Sequence, residues 1–191
     1  MNVANVGGVP AAALVAARAA ALAAVFREIE ATRMQGVPLL NARLRVQAVG
    51  FEPDRHEPQM ALGVLLTPWF MNLVRLPLDT AAESALAAVG ESRQRSAGAI
   101  LAEFIGAHEP AIGRFEACSL FSPVFEFADQ AAALATAEEV LKGLREPAPE
   151  APAQPVAAPG ATAPCAAAAA TPAPDRRAFL FGRRAPASPT A

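Results

Sequence analysis

Hydrophobic and polar positions in the first three quarters of the chain predict two helices that flank a group of short strands. The first helix is predicted from Pro10 to Arg33. Leu22 and Phe26 fall largely on one face of this helix, and charged residues such as Arg18 lie on the more solvent-exposed face. This is the pattern of a surface helix that buries one stripe.

Strands are predicted where apolar and polar residues alternate or where a short apolar run stands between turn residues. The five predicted strands are Leu44–Phe51, Ala61–Leu66, Leu73–Leu76, Ile100–Ile105 and Arg114–Leu120. Pro68 cannot donate to a strand ladder, so the chain must bend or reach a sheet edge there. Gly106 to Gly113 has the length of a longer hairpin loop, and it contains His108.

A second long helix is predicted from Ser122 and Pro123 to Arg145. Ser122 can cap free amide groups, and Pro123 at the first helical position lacks an N–H that would have no partner there anyway. A short helix is also predicted over Ala81–Ala88. The order of elements favours an α+β fold with a mainly antiparallel sheet of four to five strands. The sheet packs with an N-terminal and a C-terminal helix, and a disordered tail follows.

Composition changes sharply after Arg145 and predicts the domain organisation. Residues 147–174 are almost wholly Pro, Ala, Gln, Gly and Thr, with too few large side chains to offset an ordering entropy of about 1–2 kcal/mol per residue. The predicted segments are a flexible lead-in (1–9), a folded domain (10–145), a disordered linker (146–174) and a basic aromatic tail (175–191). Residues 1–145 carry 12 basic and 15 acidic side chains, and the tail carries four Arg and one Asp. Body and tail are therefore oppositely charged.

Overall composition excludes several classes of protein. The 191 residues carry a formal net charge of -2, which argues against a general nucleic-acid binder. Cys118 and Cys165 are too few for a disulfide framework, a four-thiolate zinc site or an iron–sulfur site, so no metal and no cofactor is expected. The longest charge-free apolar stretch, Met60 to Val74, is too short for a membrane-spanning helix. The expectation is a cytoplasmic protein without stable membrane insertion.

Enzymatic motifs are weak. No Gly-rich phosphate-binding loop is present. Cys118 is a candidate nucleophile, but it also falls in an alternating strand, where a thiol acts as a small apolar residue. A small enzyme that depends on Cys118 remains an alternative hypothesis, and so does a redox accessory protein.

Two aromatic segments are the strongest functional candidates. Residues 67–73 carry Trp69, Phe70 and Met71 around a proline bend, and residues 118–129 carry Phe125 on the predicted second helix, turned partly away from the core. These side chains either belong to the core or line an exposed groove for an apolar segment of a partner. Both interpretations stay open at this point.

The same two segments resemble a known family. Thr67-Pro-Trp-Phe-Met-Asn-Leu-Val-Arg-Leu-Pro77 and Cys118-Ser-Leu-Phe-Ser-Pro-Val-Phe-Glu-Phe-Ala-Asp-Gln130 are similar to motifs of the HybE/HupJ-type nickel–iron hydrogenase assembly chaperones. The resemblance covers roughly residues 15–145. It departs at Ser96-Ala97-Gly98, where a proline-containing turn would be expected.

The resemblance implies a non-catalytic cytoplasmic chaperone. Its expected client is the precursor of the hydrogenase small subunit, which bears a twin-arginine signal peptide and is held before export. Other hydrogenase maturation proteins are further possible partners. An acidic surface suits an Arg-Arg pair, and Glu126 and Asp129, three residues apart beside Phe125, are the candidate arginine contacts. The same two acids are equally explained as favourable charges at the start of a helix.

The tail contains a pattern that is similar to a twin-arginine signal, but it lies at the C-terminal end of the sequence instead of the N-terminal end. Arg176-Arg177-Ala178-Phe179-Leu180 resembles a twin-arginine motif, but it stands near the end of the sequence with no apolar stretch after it. One hypothesis is that this pseudo-signal, through Arg176, Arg177, Phe179 and Leu180, occupies the client site of the body when no client is bound. The alternatives are a solubilising basic end, or a contact of the tail with the export machinery, the hydrogenase large subunit or acidic lipid.

Overall fold

The computed structural model describes residues 10–98 and 100–146, which contain two α-helices, six strands and one short 3-10 helix. In chain order they are α1 (Ala11–Ala31), β1 (Gln47–Pro53), β2 (Met60–Leu66), β3 (Met71–Pro77), the 3-10 helix (Ala82–Ala85), β4 (Ser92–Ala97), β5 (Ile100–Glu109), β6 (Gly113–Phe121) and α2 (Gln130–Arg145). The strands form one antiparallel sheet in the order β1-β2-β3-β6-β5-β4. The predicted α+β class is confirmed, with six strands instead of four to five. The segments 1–9 and 147–191 lie outside the described residues, so the predicted lead-in, linker and tail stay predictions.

The two helices cover opposite faces of the sheet. Alternate residues of β2 enter different cores: Leu65 packs with α1, and Val64 and Leu66 pack with α2. Such a doubly covered strand is apolar at nearly every position, as the predicted run Ala61–Leu66 shows. The sheet therefore has a core on each side, which we term the α1 face and the α2 face.

Helix α1 is held to the sheet by an arginine as well as by apolar residues. Leu22 and Phe26 are buried against the sheet as predicted. Arg18 does not lie on the solvent-exposed face, because its side chain donates to the carbonyls of Pro77 and Ile112, each at 3.0 Å. The prediction for Arg18 is wrong because its long side chain lets the guanidinium reach backbone acceptors at the end of β3 and just before β6.

Helix α2 begins at Gln130, not at Ser122 and Pro123. The Ser122–Pro123 peptide bond is cis, and the chain continues as an irregular loop to Asp129. Asp129 is the N-cap residue, and its Oδ1 accepts from the N–H of Ala132 at 2.8 Å. The predicted helix start is wrong, and residues 124–128, which were predicted to be helical, lie on a loop.

The strand β4 was missed because its sequence is polar. Ser92–Ala97 reads SRQRSA, and five of its six side chains are at least partly exposed. An edge strand with charged side chains carries no apolar alternation for sequence reasoning to detect. Its partner β5 extends to Glu109, which places His108 in a strand and not in the predicted loop. The turn to β6 is accordingly short.

The other elements shift only at their ends. Strand β1 begins at Gln47 instead of Leu44, and the predicted helix Ala81–Ala88 is limited to the 3-10 turn Ala82–Ala85. Strand β3 begins at Met71, two residues before the predicted Leu73. This last shift matters for the site, because it moves Met71 from a turn into the sheet.

Candidate functional site

Three loop segments meet at one end of the sheet, and Asn41 holds them together. Its backbone N–H donates to the Pro68 carbonyl at 2.8 Å. Its side-chain amide donates to the carbonyls of Val124 at 3.1 Å and Phe127 at 2.9 Å. Asn41 thereby connects the β2–β3 turn to the loop between β6 and α2. We term the surface of residues 39–45, 67–70 and 122–129 the Asn41 junction.

The β2–β3 turn presents two half-buried aromatic side chains. The Thr67 hydroxyl oxygen accepts from the N–H of Trp69 at 3.3 Å and of Phe70 at 2.9 Å, which fixes the turn. The rings of Trp69 and Phe70 lie 6.5 and 5.8 Å from that of Phe26 in α1. Edge and offset contacts of this kind stabilise aromatic clusters. Trp69 and Phe70 are therefore part core and part surface.

Met71 does not belong to this surface. It is the first residue of β3, and it is fully buried in the core of the α2 face. The prediction of a groove with an exposed Met71 is wrong, because the sheet has two covered faces. Trp69 and Phe70 pack on the α1 face, and Met71 enters the other one.

Phe125 is the exposed aromatic of the junction. Its side chain is 55% exposed, between Val124 and Phe127, which are both buried. Phe127 packs edge-on against Phe121 at the end of β6, with 5.2 Å between ring centroids. The loop is thus anchored on both sides of Phe125 and Glu126, which lie at the surface.

The charge of the junction is mixed. Glu126 makes no hydrogen bond or ion pair within the described part of the chain, and Asp129 is exposed while it caps α2. Arg43 lies beside them and donates to the Ala128 carbonyl at 3.3 Å. Sequence reasoning missed Asn41 and Arg43, since both act on backbone carbonyls more than 80 residues away.

A buried ion network lies on the α2 face. The Arg75 side chain is 1% exposed, and its guanidinium donates to Glu116 at 2.5 Å and lies 2.9 Å from Glu57. Asp54 lies 3.6 Å from its Nε. Arg75 and Glu116 are opposite each other on the paired strands β3 and β6, so the register of the sheet brings the two side chains together.

Glu116 is charged although it is buried. Burial opposes ionisation, but hydrogen bonds from Arg95 and from the Ala87 N–H, with the charge of Arg75, outweigh it and hold the pKa of Glu116 below its ordinary value. Both carboxylate oxygens are already occupied by donors. The network therefore has a structural role and offers no free base.

Cys118 is a poor nucleophile in this fold. Its thiol is partly buried in β6, and burial together with the charge of Glu103 raises its pKa. A raised pKa lowers the thiolate fraction at neutral pH, and the thiolate is the reactive form. This weighs against the Cys118-dependent enzyme.

We expect Cys118 in the full chain to react at least about 5-fold more slowly with iodoacetamide at pH 7.5 than glutathione does, because less of it is thiolate. Mass spectrometry of the peptide that contains Cys118 measures the rate separately from Cys165. Alkylation faster than glutathione would restore the nucleophile hypothesis.

Residues 10–98 and 100–146 contain neither a metal-binding cluster nor a membrane-spanning helix. No cluster of three or more His, Cys, Asp and Glu side chains is arranged to bind a metal ion there. No helix in the same residues has the length and apolar character needed to span a bilayer.

Comparisons with known proteins point to one family. Residues 17–182 match the family model described as NiFe-hydrogenase assembly, chaperone, HybE. The chain is 44% identical over 163 residues to protein HoxT of Cupriavidus necator, which covers 82% of this chain and 83% of HoxT. It is also 44% identical over 127 residues to the hydrogenase expression/formation protein HupJ of Bradyrhizobium diazoefficiens, with 66% and 71% covered. The solution structure of HybE from Escherichia coli is similar in fold, with a TM-score of 0.50 at 20% identity over 88% of this chain and 91% of that one.

Proposed function

Because the chain belongs to the HybE family of NiFe-hydrogenase assembly chaperones, we propose that it binds the precursor of the hydrogenase small subunit in the cytoplasm. In this proposal the Asn41 junction holds the twin-arginine signal peptide of the precursor until export. Family membership gives the role in hydrogenase assembly. The choice of client and of surface is the proposal, and the exposed Phe125 carries it.

The junction has the apolar character that such a client requires. Phe125 stands at the surface on a loop that the buried side chains of Val124 and Phe127 anchor. Trp69 and Phe70 lie on the other segment that Asn41 holds. An exposed aromatic on a fixed backbone loses little conformational freedom on binding, which favours its use as an anchor.

Two carboxylates are the arginine contacts in this proposal. Glu126 adjoins Phe125, and its carboxylate is not engaged within the described residues. Asp129 uses Oδ1 for the α2 cap. An arginine pair that binds here gains charge-assisted hydrogen bonds, and it competes with Arg43 for the local negative charge. Glu126 is therefore the principal contact and Asp129 the secondary one.

In the same proposal, the tail motif competes with the client's signal peptide for the Asn41 junction. Arg176, Arg177, Phe179 and Leu180 lie outside the described residues, and their pattern is that of the proposed client. A tethered copy acts at an effective concentration near the millimolar range, enough to compete through weak contacts. We propose that a client must displace it.

A direct test is titration of a synthetic signal peptide with an Arg-Arg-x-Phe-Leu core into the full chain. We expect Phe125→Ser with Glu126→Gln to weaken binding at least about 10-fold, which corresponds to about 1.4 kcal/mol. Isothermal calorimetry measures the affinity.

The matched control is Val89→Ser, which removes another exposed apolar side chain away from the junction and should leave the affinity unchanged. Equal affinity of the double variant and the wild type would refute the proposed surface. Arg176→Gln with Arg177→Gln should tighten binding of the peptide, and unchanged affinity would remove the competitor from the proposal.

A further inference from the structure

The edge strand β4 directs one row of backbone groups away from the sheet. Glu91, just before β4, faces β5, because its carbonyl accepts from the N–H of Gly106 at 2.9 Å. In an antiparallel pair, residues that bond to the partner strand alternate with residues whose N–H and C=O groups point away from it. Ser92, Gln94 and Ser96 therefore direct their N–H and C=O groups to the open edge.

This edge has the hydrogen-bonding capacity of a strand that lacks a neighbour. The outward N–H and C=O groups of Ser92, Gln94 and Ser96 have no partner within residues 10–98 and 100–146. All side chains of β4 except that of Ala97 are at least partly exposed, so the edge is open to solvent. An open edge of this kind is a template for an extended segment of another chain.

Arginines on one face of β4 select the charge of an added strand. Arg93 and Arg95 alternate with the outward residues, so their side chains share one face of the β4–β5 hairpin. Arg95 already binds the buried Glu116 at 2.8 Å. The side chain of Arg93 is 44% exposed, and its ion pair within the described residues is with the exposed Glu91 at 3.4 Å. An added strand places its own side chains in close, non-hydrogen-bonded positions opposite Arg93 and Arg95, where carboxylates are favourable.

The same arginines disfavour a second copy of this strand. Residues 92–96 read Ser-Arg-Gln-Arg-Ser, which is symmetric about Gln94. Two copies paired antiparallel at Gln94 would place Arg93 of each opposite Arg95 of the other. Because like charges directly opposite each other destabilise a strand pair, the edge is protected against self-pairing but not against an acidic strand.

The other face of the hairpin selects apolar side chains. Ser92 is paired with Ile105, and Ser96 is paired with Leu101. Both serines are short, and Ile105 and Leu101 remain 50% and 73% exposed behind them. Large apolar side chains of an added strand, placed opposite the two serines, can extend over them toward these residues. The exposed Glu103 lies between Leu101 and Ile105 on this face and disfavours a carboxylate there.

We propose that β4 binds an extended segment of an acidic partner protein by strand addition. Five residues of that segment follow the order large apolar, acidic, uncharged, acidic, large apolar. Its carboxylates lie beside Arg93 and Arg95, and its apolar side chains lie toward Leu101 and Ile105. Main-chain hydrogen bonds give affinity, and the alternating side chains give specificity. The proposal does not rest on the proposed function, since this partner has the opposite charge to the arginine pair proposed for the Asn41 junction.

The test is titration of the isotope-labelled full chain with the peptide acetyl-Thr-Ile-Glu-Thr-Glu-Ile-Thr-amide, followed by NMR and amide hydrogen exchange. We expect the amides of Ser92, Gln94 and Ser96 to exchange at least about 10-fold more slowly with saturating peptide. The amides of Arg93 and Arg95 face β5 and should change little. The same peptide with lysine in place of both glutamates should not bind.

Two variants separate charge selection from strand addition. Arg93→Glu should weaken binding of the acidic peptide at least about 5-fold. The matched control Arg27→Glu makes the same charge change at an exposed position of α1 and should leave the affinity close to that of the wild type. Gln94→Pro removes one outward N–H without removing a donor of the β4–β5 ladder, and it should abolish binding.

Three results would overturn the proposal. They are outward amides that exchange equally fast with and without the peptide, equal binding of the acidic and the lysine peptide, and protection of β4 that grows with protein concentration when no peptide is present. The last result would assign the edge to a second copy of this chain. Arg93→Glu and Gln94→Pro should not alter the titration of the Arg-Arg peptide, so failure of this proposal is distinguishable from failure of the proposed function.

Discussion

Replacing Arg75 by methionine is expected to lower the free energy of unfolding by about 3–5 kcal/mol. The substitution keeps a long side chain, but it leaves Glu116 and Asp54, both nearly inaccessible, without their central cation. Arg95 still reaches Glu116, so the loss falls mainly on Asp54 and on one oxygen of Glu116. Urea denaturation of the full chain measures the difference.

The matched control is Arg33→Met. Arg33 also forms a 2.8 Å ion pair, with Glu109, but its side chain is 59% exposed. Exposed pairs contribute about 0–1 kcal/mol, so this variant should remain close to the wild type. If both variants lost the same stability, burial would not be the cause.

The effect of Arg75→Met should also depend on pH. The pKa of Glu116 is lowered in the folded protein, so its contribution to stability is present above the unfolded value of 4.5 and is lost as pH falls through the lower folded pKa. Without Arg75 that pKa rises toward its ordinary value, and Glu116 can be neutralised at mildly acidic pH. The difference between variant and wild type should therefore be nearly constant from pH 7 to about pH 5 and shrink as pH falls below 4.5. A difference that is constant with pH would contradict an ionic origin.

The hydrophobic periodicity predicted two kinds of element correctly: helices that bury one apolar stripe, and strands that are buried on both faces. Leu22 and Phe26 in α1 and the run of β2 follow directly from the hydrophobic pattern. The start of α2 could not be read in the same way. Ser122 and Pro123 have the chemistry of a helix start, but the carbonyls of Val124 and Phe127 accept from Asn41, and this tertiary contact holds the segment as a loop.

The sequence predicted the exposure of some residues of the candidate site but not of others. Phe125 and Glu126 lie at the surface, although on a loop instead of a helix. The exposure of Met71 was predicted wrongly, because both faces of the sheet are covered and each can bury apolar residues that follow the proline bend.

Replacing Gly98 by alanine is expected to lower the free energy of unfolding by about 2–5 kcal/mol. Gly98 lies at the tip of the β4–β5 hairpin with φ of +57, where a side chain costs about 1–2 kcal/mol. A Cβ atom there would also overlap the backbone carbonyl of Leu144 near the end of α2. Backbone cannot swing aside as a side chain can, so an overpacking cost of about 1–3 kcal/mol adds to the first.

Gly90→Ala separates the two contributions. Gly90 also has a positive φ, of +81, but no atom lies within 4 Å of the position a Cβ would take. It should therefore show only the conformational cost of about 1–2 kcal/mol in urea denaturation. Equal losses in the two variants would mean that Leu144 yields to the new Cβ. A larger loss for Gly98→Ala, with faster hydrogen exchange in the last turn of α2, would show that the hairpin tip holds the end of this helix in place.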